Sequence, residues 1–210
     1  AIMTDAKFWD AAARKYARSK ISDMPAYEET IRRARAHLSP NDRVLELGCG
    51  TGTTALRLAD AVASYTATDV SSEMIAIGNE KLAVDPVPGL QFSVSSADGA
   101  GVGARDFDVV MGFNLFHLVA DPDAAFRQVH TLLRDGGLLI SKTPCLSRRW
   151  YLRPLVGAMK PVGKAPRHVH FFSVDGYDDV IVRAGFEIVE TGLYPPGVPS
   201  RFVVARKVGG

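Results

Sequence analysis

Short apolar runs rich in β-branched residues alternate along this chain with segments whose apolar residues recur at a helical spacing. This alternation is typical of an α/β fold, in which helices cover both faces of a parallel sheet. Seven runs are predicted strands: Arg43–Leu47, Tyr65–Asp69, Leu90–Ser95, Phe107–Gly112, Leu138–Lys142, Phe186–Thr191 and Phe202–Arg206. The clearest helices are predicted at Thr53–Val62, Ser72–Leu82, Asp123–Leu133 and Val174–Ala184.

No helical segment separates the last two predicted strands, so we expect them to form an antiparallel pair after five parallel strands. No linker, repeat or low-complexity tract divides the chain, which predicts one domain over residues 1–210. Within it, residues 1–40 are expected to form a helical cap and residues 143–174 an amphipathic basic insert.

Charge is almost balanced overall, with 25 Lys and Arg against 23 Asp and Glu, but it is segregated along the chain. Residues 44–141 carry five basic and twelve acidic side chains, whereas residues 142–174 carry seven basic and no acidic ones. Such a basic stretch favours contact with an anionic partner, and a solvated basic face is the alternative interpretation.

Several classes of protein are disfavoured by composition. No window approaches the roughly 18 apolar residues of a membrane-spanning helix, and no secretory signal is evident, so a cytoplasmic location is expected. Cys49 and Cys145 are too few for a disulfide framework or a cysteine-based zinc site. The five histidines are scattered, and no metal is expected.

The most informative segment is a buried strand that leads through a glycine-rich turn, residues 48–52, into a helix. Such a turn brings backbone amides close to a ligand. Residues 50–55 satisfy the dinucleotide pattern G-x-G-x-x-G/A, so nicotinamide binding is one interpretation. Asp69 ends the next strand, where a ribose diol is gripped, and Asp98 follows the third strand at the same sheet edge.

These sheet-edge features resemble the class I S-adenosylmethionine-dependent methyltransferases, in particular those similar to ubiquinone/menaquinone biosynthesis methyltransferases. The resemblance rests on residues 46–52, Asp69, residues 97–98, residues 114–117 and residues 133–137. It implies a single Rossmann-like methyltransferase domain with a seven-stranded sheet and S-adenosylmethionine as cofactor. The residues expected to bind that cofactor are Glu46, Gly48, Cys49, Gly50, Gly52, Thr53, Asp69, Val70, Met74, Ala97, Asp98 and Asn114.

By this resemblance, Glu46 and the glycines surround the methionine moiety, Asp69 binds the ribose hydroxyls, Val70 packs on adenine and Asp98 binds its amino group. The cofactor has no pyrophosphate, and an acidic residue in the turn suits an amino acid zwitterion better than a phosphate. The candidates for orienting the acceptor or relaying a proton are Tyr16, His117 and His168. His117 has the alternative role of a cleft wall.

The acceptor must be recognised outside the cofactor core, by residues 5–20 and 147–164. Both segments are amphipathic and basic, as is typical of peripheral contact with an anionic membrane, here the inner membrane face. Residues 5–20 have the alternative of capping the cofactor cleft. Nucleic acid is not expected, because no recognition helix or stacking platform is evident.

An amphiphilic or lipid acceptor is therefore expected. A weaker resemblance to bacterial phosphatidylethanolamine N-methyltransferases makes that lipid's amine the preferred acceptor. Four aromatic residues, Tyr16, Tyr27, Phe113 and Trp150, are candidates to hold the ammonium products. The alternative is C- or O-methylation of a quinone precursor or another small molecule. RNA methylation and a nicotinamide-dependent oxidoreductase are less favoured.

Overall fold

The computed structural model describes residues 6–97, 99, 101–161, 164–197 and 199–209, apart from the side chain of Trp150. Asp98, the predicted partner of the adenine amino group, and the Trp150 ring therefore lie outside the described residues. The helices are α1 Ala6–Arg18, α2 Met24–Ala36, α3 Thr53–Leu58, α4 Ser72–Val84, α5 Pro122–Leu132, α6 Arg153–Met159 and α7 Val174–Arg183. The strands are β1 Arg43–Leu47, β2 Ser64–Asp69, β3 Leu90–Val94, β4 Phe107–Phe113, β5 Leu133–Pro144, β6 Phe186–Leu193 and β7 Ser200–Lys207.

The described strands form a single sheet in the order β3-β2-β1-β4-β5-β7-β6. The first five strands are parallel, and β7 runs antiparallel to both β5 and β6. This arrangement confirms the predicted five parallel strands and terminal antiparallel pair. Strand order reverses direction between β1 and β4, and the carboxyl ends of strands at such a switch point form the usual ligand crevice of open α/β sheets.

Most element boundaries differ from the prediction by one or two residues, and two differ by more. The predicted helix Thr53–Val62 ends at Leu58 and continues as a short 3₁₀ turn over Ala59–Ala61. Strand β5 begins at Leu133, five residues earlier than expected, because the Gly136-Gly137 bend is absorbed inside the strand. Gly136 adopts a φ of +72°, and the pairing of β4 with β5 shifts register between Phe107 and Val109.

Successive side chains of each strand point to opposite faces of the sheet, so the core forms two layers, one on each face. Leu45, Val110 and Leu139 pack with α5 and α7 on one face. On the other face, Val44, Met111 and Ile140 pack with α2 and α3, and the side chain of Glu46 belongs to this face by alternation. Polar residues at the carboxyl end of the same face are therefore close to α2.

Helix α1 packs across α4 rather than standing free. Trp9 and Ala13 contact Met74 and Ile77 of α4. Arg14 donates two hydrogen bonds of 2.9 Å to the carboxylate of Glu80, also on α4. The apolar side of α1 is thus used within the protein, so contact of that side with a membrane requires α1 to separate from α4. None of the described helices is long and apolar enough to span a membrane.

Candidate active site

Three glycines with positive φ shape the turn that follows β1. Gly48, Gly50 and Gly52 have φ values of +65°, +55° and +77°, a region that disfavours side chains. A Cβ on Gly48 would lie 2.8 Å from a methyl carbon of Leu115, and one on Gly52 would lie 2.4 Å from the ring of Phe92. The backbone therefore turns in contact with its neighbours, and only glycine fits.

Asp69, at the end of β2, links this turn to the start of α4. Its Oδ2 accepts a hydrogen bond of 2.9 Å from the backbone N–H of Gly50, and its Oδ1 accepts one of the same length from Ser71. Burial raises the pKa of Asp69, and the backbone N–H donors oppose that rise. The carboxylate consequently has a fixed orientation at the mouth of the turn.

Glu46 lies on β1, just before the glycine turn, and its side chain is almost completely buried. Its Oε2 accepts a hydrogen bond of 2.7 Å from the hydroxyl of Tyr65 on β2. Burial raises the pKa of Glu46 to about 7, although the Tyr65 hydrogen bond lowers it and the charge of Asp69 raises it further. Glu46 therefore exchanges its proton near neutral pH.

Lys81 of α4 supports the turn from the outside, a role that the sequence analysis missed. Its Nζ donates hydrogen bonds of 2.9 Å to both the carbonyl and the hydroxyl oxygen of Thr51, and one of 3.2 Å to the hydroxyl of Thr53. The sequence offered no signal for this contact, because Lys81 resembles any solvated lysine of an amphipathic helix.

Two adjoining clefts open at the carboxyl edge of β1 and β4. The first has a volume of about 330 Å³ and contains seven of the predicted cofactor residues: Gly48, Gly50, Asp69, Val70, Met74, Ala97 and Asn114. Trp9, Tyr16 and His117 also line it. The second cleft, about 430 Å³, is lined by Glu46, Cys49 and Thr53 and reaches residues of α2, β5 and the β6–β7 connection. Both clefts share five residues, Tyr16, Gly48, Gly50, Phe113 and Asn114.

Two predicted site residues lie elsewhere. Gly52 lines neither cleft, since it packs against Phe92 beneath the turn. His168 is half-buried in the segment before α7 and also lines neither cleft of the described structure. The neighbouring His170 is closer to the site, because its backbone N–H donates a 2.7 Å hydrogen bond to the carbonyl oxygen of His117.

His117 and Tyr16 are the titratable candidates in the first cleft. Burial, with a smaller contribution from His170, lowers the pKa of His117 to about 4, so its imidazole is neutral at physiological pH. Its Nδ1 is buried without a hydrogen-bond partner among the described residues. Desolvation, and then the charge of Asp69, raises the pKa of the Tyr16 hydroxyl, which is therefore protonated.

The second cleft also contains residues that the sequence did not single out. Thr30 of α2 lines it, as does Lys142 near the end of β5, and Tyr27, one of the four aromatic candidates, lines it beside them. The available signal was the position of Lys142, a lysine that ends the predicted fifth strand at the same sheet edge as Asp69. Only the structure shows that this lysine is buried and lines the second cleft.

Comparisons with known proteins identify the family of this chain. A family model described as "Methyltransferase domain" matches residues 14–191. A ubiquinone biosynthesis O-methyltransferase of Parvibaculum lavamentivorans is 26% identical over 169 residues, which cover 78% of this chain and 66% of the relative. A malonyl-[acyl-carrier protein] O-methyltransferase of Geobacter sulfurreducens is 29% identical over 180 residues, covering 80% and 66%.

A solved structure from Thermotoga maritima, described as a SAM-dependent methyltransferase and possible histamine N-methyltransferase, has a TM-score of 0.69 at 20% identity. The match covers 97% of this chain and 99% of that one. This chain spans between 56% and 66% of the length of the first curated relatives. The family model nevertheless covers most of the chain, and the sheet order agrees with it. The chain therefore belongs to the class I S-adenosylmethionine-dependent methyltransferases.

Proposed function

We propose that this protein transfers the methyl group of S-adenosylmethionine to an oxygen atom of an amphiphilic small molecule, such as a quinone precursor. The observation that carries the proposal is the wall shared by the two clefts, which includes Tyr16, Phe113 and Asn114. A ligand in the second cleft meets a ligand in the first at this wall. Cofactor and acceptor are therefore expected to bind side by side.

The residues of the first cleft fit the adenosyl part of the proposed cofactor, and Glu46 of the second cleft is expected to hold its methionine end. Asp69 supplies a carboxylate for the ribose hydroxyls, while Val70, Met74 and Ala97 supply an apolar surface for adenine. The absence of a Cβ at Gly50 keeps the turn open to a close approach. When bound, S-adenosylmethionine supplies a methyl group already activated by its positively charged sulfur.

The protein's own contribution is then to hold the acceptor in line and to exclude water. Trp9 and Tyr16 of α1 line the first cleft, and α1 is fastened to the start of α4 because Ser71 Oγ donates a 2.6 Å hydrogen bond to Asp10. A closed wall of this kind favours orientation, which contributes up to about 7–11 kcal/mol of barrier reduction in well-aligned reactions.

An acceptor O–H must also lose its proton during transfer. His117 is a candidate for orienting such a hydroxyl, because the residue lines the first cleft and its neutral ring has a buried Nδ1 without a partner among the described residues. Its low pKa makes it a weak base, so a hydrogen-bonding role fits it better than proton storage. Tyr16 offers a second hydroxyl at the shared wall, and His168 stays a candidate outside both clefts.

The choice of oxygen over nitrogen rests on the relatives. The two curated relatives described above are named O-methyltransferases, one of ubiquinone biosynthesis and one of malonyl-[acyl-carrier protein]. Neither name concerns phosphatidylethanolamine, which the sequence analysis preferred. The quinone-precursor alternative therefore becomes the main proposal.

The test is a transfer assay with S-adenosylmethionine labelled in its methyl group. Three acceptors are offered separately: a prenylated dihydroxybenzene, a malonyl thioester and phosphatidylethanolamine in vesicles. We expect label in an O-methyl product, and much less of it with the Asp69→Ala variant at a cofactor concentration that does not saturate that variant. Transfer to phosphatidylethanolamine alone contradicts the oxygen proposal. If the protein binds S-adenosylhomocysteine but transfers label to none of the three acceptors, the proposed acceptor class is wrong.

We further propose reversible contact with an anionic bilayer through the 3₁₀ turn Ser147–Leu152 and α6. Tyr151 and Leu155 are exposed there, and no residue of α6 is buried. The exposed cations Arg148, Arg149, Arg153 and Lys160 flank them in the sequence, and each adds about 1 kcal/mol of attraction near an acidic surface. This composition suits the delivery of an amphiphilic acceptor.

Sedimentation with vesicles tests this contact. We expect salt-sensitive binding to vesicles that contain phosphatidylglycerol and none to neutral vesicles. The double variant Tyr151→Ser with Leu155→Ser should reduce binding. Val84→Ser, which removes a still more exposed aliphatic side chain at the end of α4, is the control and should not reduce binding. Equal binding by the two variants, or no binding to either vesicle, contradicts the proposal.

A further inference from the structure

Lys142 is a buried cation inside the second cleft. The residue is only 9% exposed, yet it lines the cleft together with Glu46, Tyr27 and Asn114. Its backbone carbonyl accepts a 2.7 Å hydrogen bond from the N–H of Asn114, which ties it to the wall shared by both clefts. A lysine at such a depth needs a partner, because an ammonium group loses most of its hydration there.

Among the described residues, the ammonium group of Lys142 has few polar partners. Its Nζ donates one hydrogen bond of 3.2 Å, to the hydroxyl of Thr30, whose own proton is given to the carbonyl oxygen of Ala26. No carboxylate of the described chain lies within 4.0 Å of the Lys142 amine. Burial lowers the pKa of Lys142, and the charge of Asp23 opposes that shift without a direct contact. Two N–H donors are thus left for a ligand.

Sheet topology places this cation on the acceptor side of the site. Lys142 lies on β5, and β4 and β1 separate it from Asp69 at the end of β2. Adjacent strands are about 4.8 Å apart, so β5 lies about 10 Å from β1, in the direction away from Asp69. Lys142 pairs in register with Phe113 of β4, which puts both side chains on the face that carries Glu46.

We propose that the acceptor carries an anionic oxygen group, a carboxylate or a phenolate, and that Lys142 is the counter-ion that selects it in the second cleft. This inference rests on the proposed methyl transfer and narrows its acceptor class. A neutral acceptor leaves the ammonium without its partner, whereas an oxyanion satisfies the remaining N–H donors. A charge-assisted hydrogen bond of this kind corresponds to a preference of about 10- to 100-fold.

The preference is measured by titrating the protein, saturated with S-adenosylhomocysteine, with benzoate and with its neutral isostere benzamide. We expect benzoate to bind at least tenfold more tightly. Lys142→Met should abolish the preference without loss of folding, because a buried unpaired cation is replaced by an apolar side chain of similar length. Lys142→Arg should keep part of it. Lys20→Met removes an exposed cation from the rim of the same cleft and is the matched control.

Three outcomes overturn the inference. Wild type binds benzoate and benzamide equally, Lys20→Met loses the benzoate preference as Lys142→Met does, or Lys142→Met retains that preference. The carboxylate of the cofactor is another source of an oxyanion. A tenfold or greater loss of S-adenosylhomocysteine affinity in Lys142→Met, with benzoate selectivity intact, assigns the lysine to the cofactor instead. Failure of the proposed function is distinct, since it shows as absent methyl transfer while the benzoate preference persists.

Discussion

Binding of S-adenosylhomocysteine should depend on pH through Glu46. In the free protein, burial places the pKa of this carboxyl at about 7, so it is half protonated at neutral pH. An ammonium group bound beside it favours the ionised form and lowers its pKa. Binding therefore releases a proton below pH 7, and affinity rises with pH until Glu46 is ionised in the free protein as well.

The size of the effect follows from that pKa. A group with a pKa of 7 is about one-eleventh ionised at pH 6 and about ten-elevenths ionised at pH 8. Affinity should accordingly be about tenfold weaker at pH 6 than at pH 8, which corresponds to about 1.4 kcal/mol. About 0.9 proton should be released per ligand at pH 6 and about 0.1 at pH 8.

Isothermal titration calorimetry in two buffers of different ionisation enthalpy measures both quantities. Glu46→Gln keeps the shape of the side chain and removes its titration, so the pH dependence of this variant reports the ligand's own amino group. If wild type and Glu46→Gln show the same pH profile, the ammonium does not bind at Glu46 and the reasoning is refuted.

The same carboxyl affects folding with a definite sign. A pKa raised in the folded state above the ordinary value of 4.5 means that the folded protein holds the proton more tightly than the unfolded chain. Its stabilising contribution is complete below about pH 4.5 and is lost as pH rises through 7. Glu46→Gln should therefore raise the melting temperature more at pH 8 than at pH 5.

Three further substitutions test the site. Asp69→Ala should weaken S-adenosylhomocysteine binding about 10- to 100-fold, because the carboxylate is the proposed partner of the ribose hydroxyls and also orients the turn. An unchanged affinity in calorimetry would show that the ribose does not bind at Asp69. Gly52→Ala should lower the free energy of unfolding, measured with urea, by about 2–5 kcal/mol, because the new Cβ would collide with the ring of Phe92 and the backbone has a positive φ. A stability equal to wild type would contradict this geometry. Trp9→Ala should weaken the same ligand several-fold, whereas Phe8→Ala, beside it on α1 and outside both clefts, should not.

The geometry of the proposed cofactor region was predictable because its residues are local in sequence. The turn at residues 48–52 has positive φ at three glycines, and Asp69 ends a recognisable strand, so motif and spacing placed both. The boundaries of β5 were not predictable in the same way. A Gly-Gly pair indicates a bend, but only pairing with β4 determines whether the bend ends the strand or is absorbed as a register shift.

The N-terminal helix shows a similar division. Its amphipathic pattern predicted a helix and left open whether the apolar side covers the cleft or lies on a membrane. The packing of Trp9 and Ala13 on α4 was decided by the tertiary structure, because an apolar face is satisfied equally by a lipid or by a neighbouring helix.

The sequence by itself determined the fold class, the glycine-rich turn after β1 and the separation of acidic from basic regions, since each depends on local pattern and composition. Only the tertiary structure decided the electrostatics of individual groups. Glu46 and Lys142 lie almost 100 residues apart in the chain, and neither has an unusual local sequence for its strand. Folding buries both in one cleft, each outside the other's ion-pairing distance, and desolvation in that shared cleft raises the pKa of the acid and lowers that of the base.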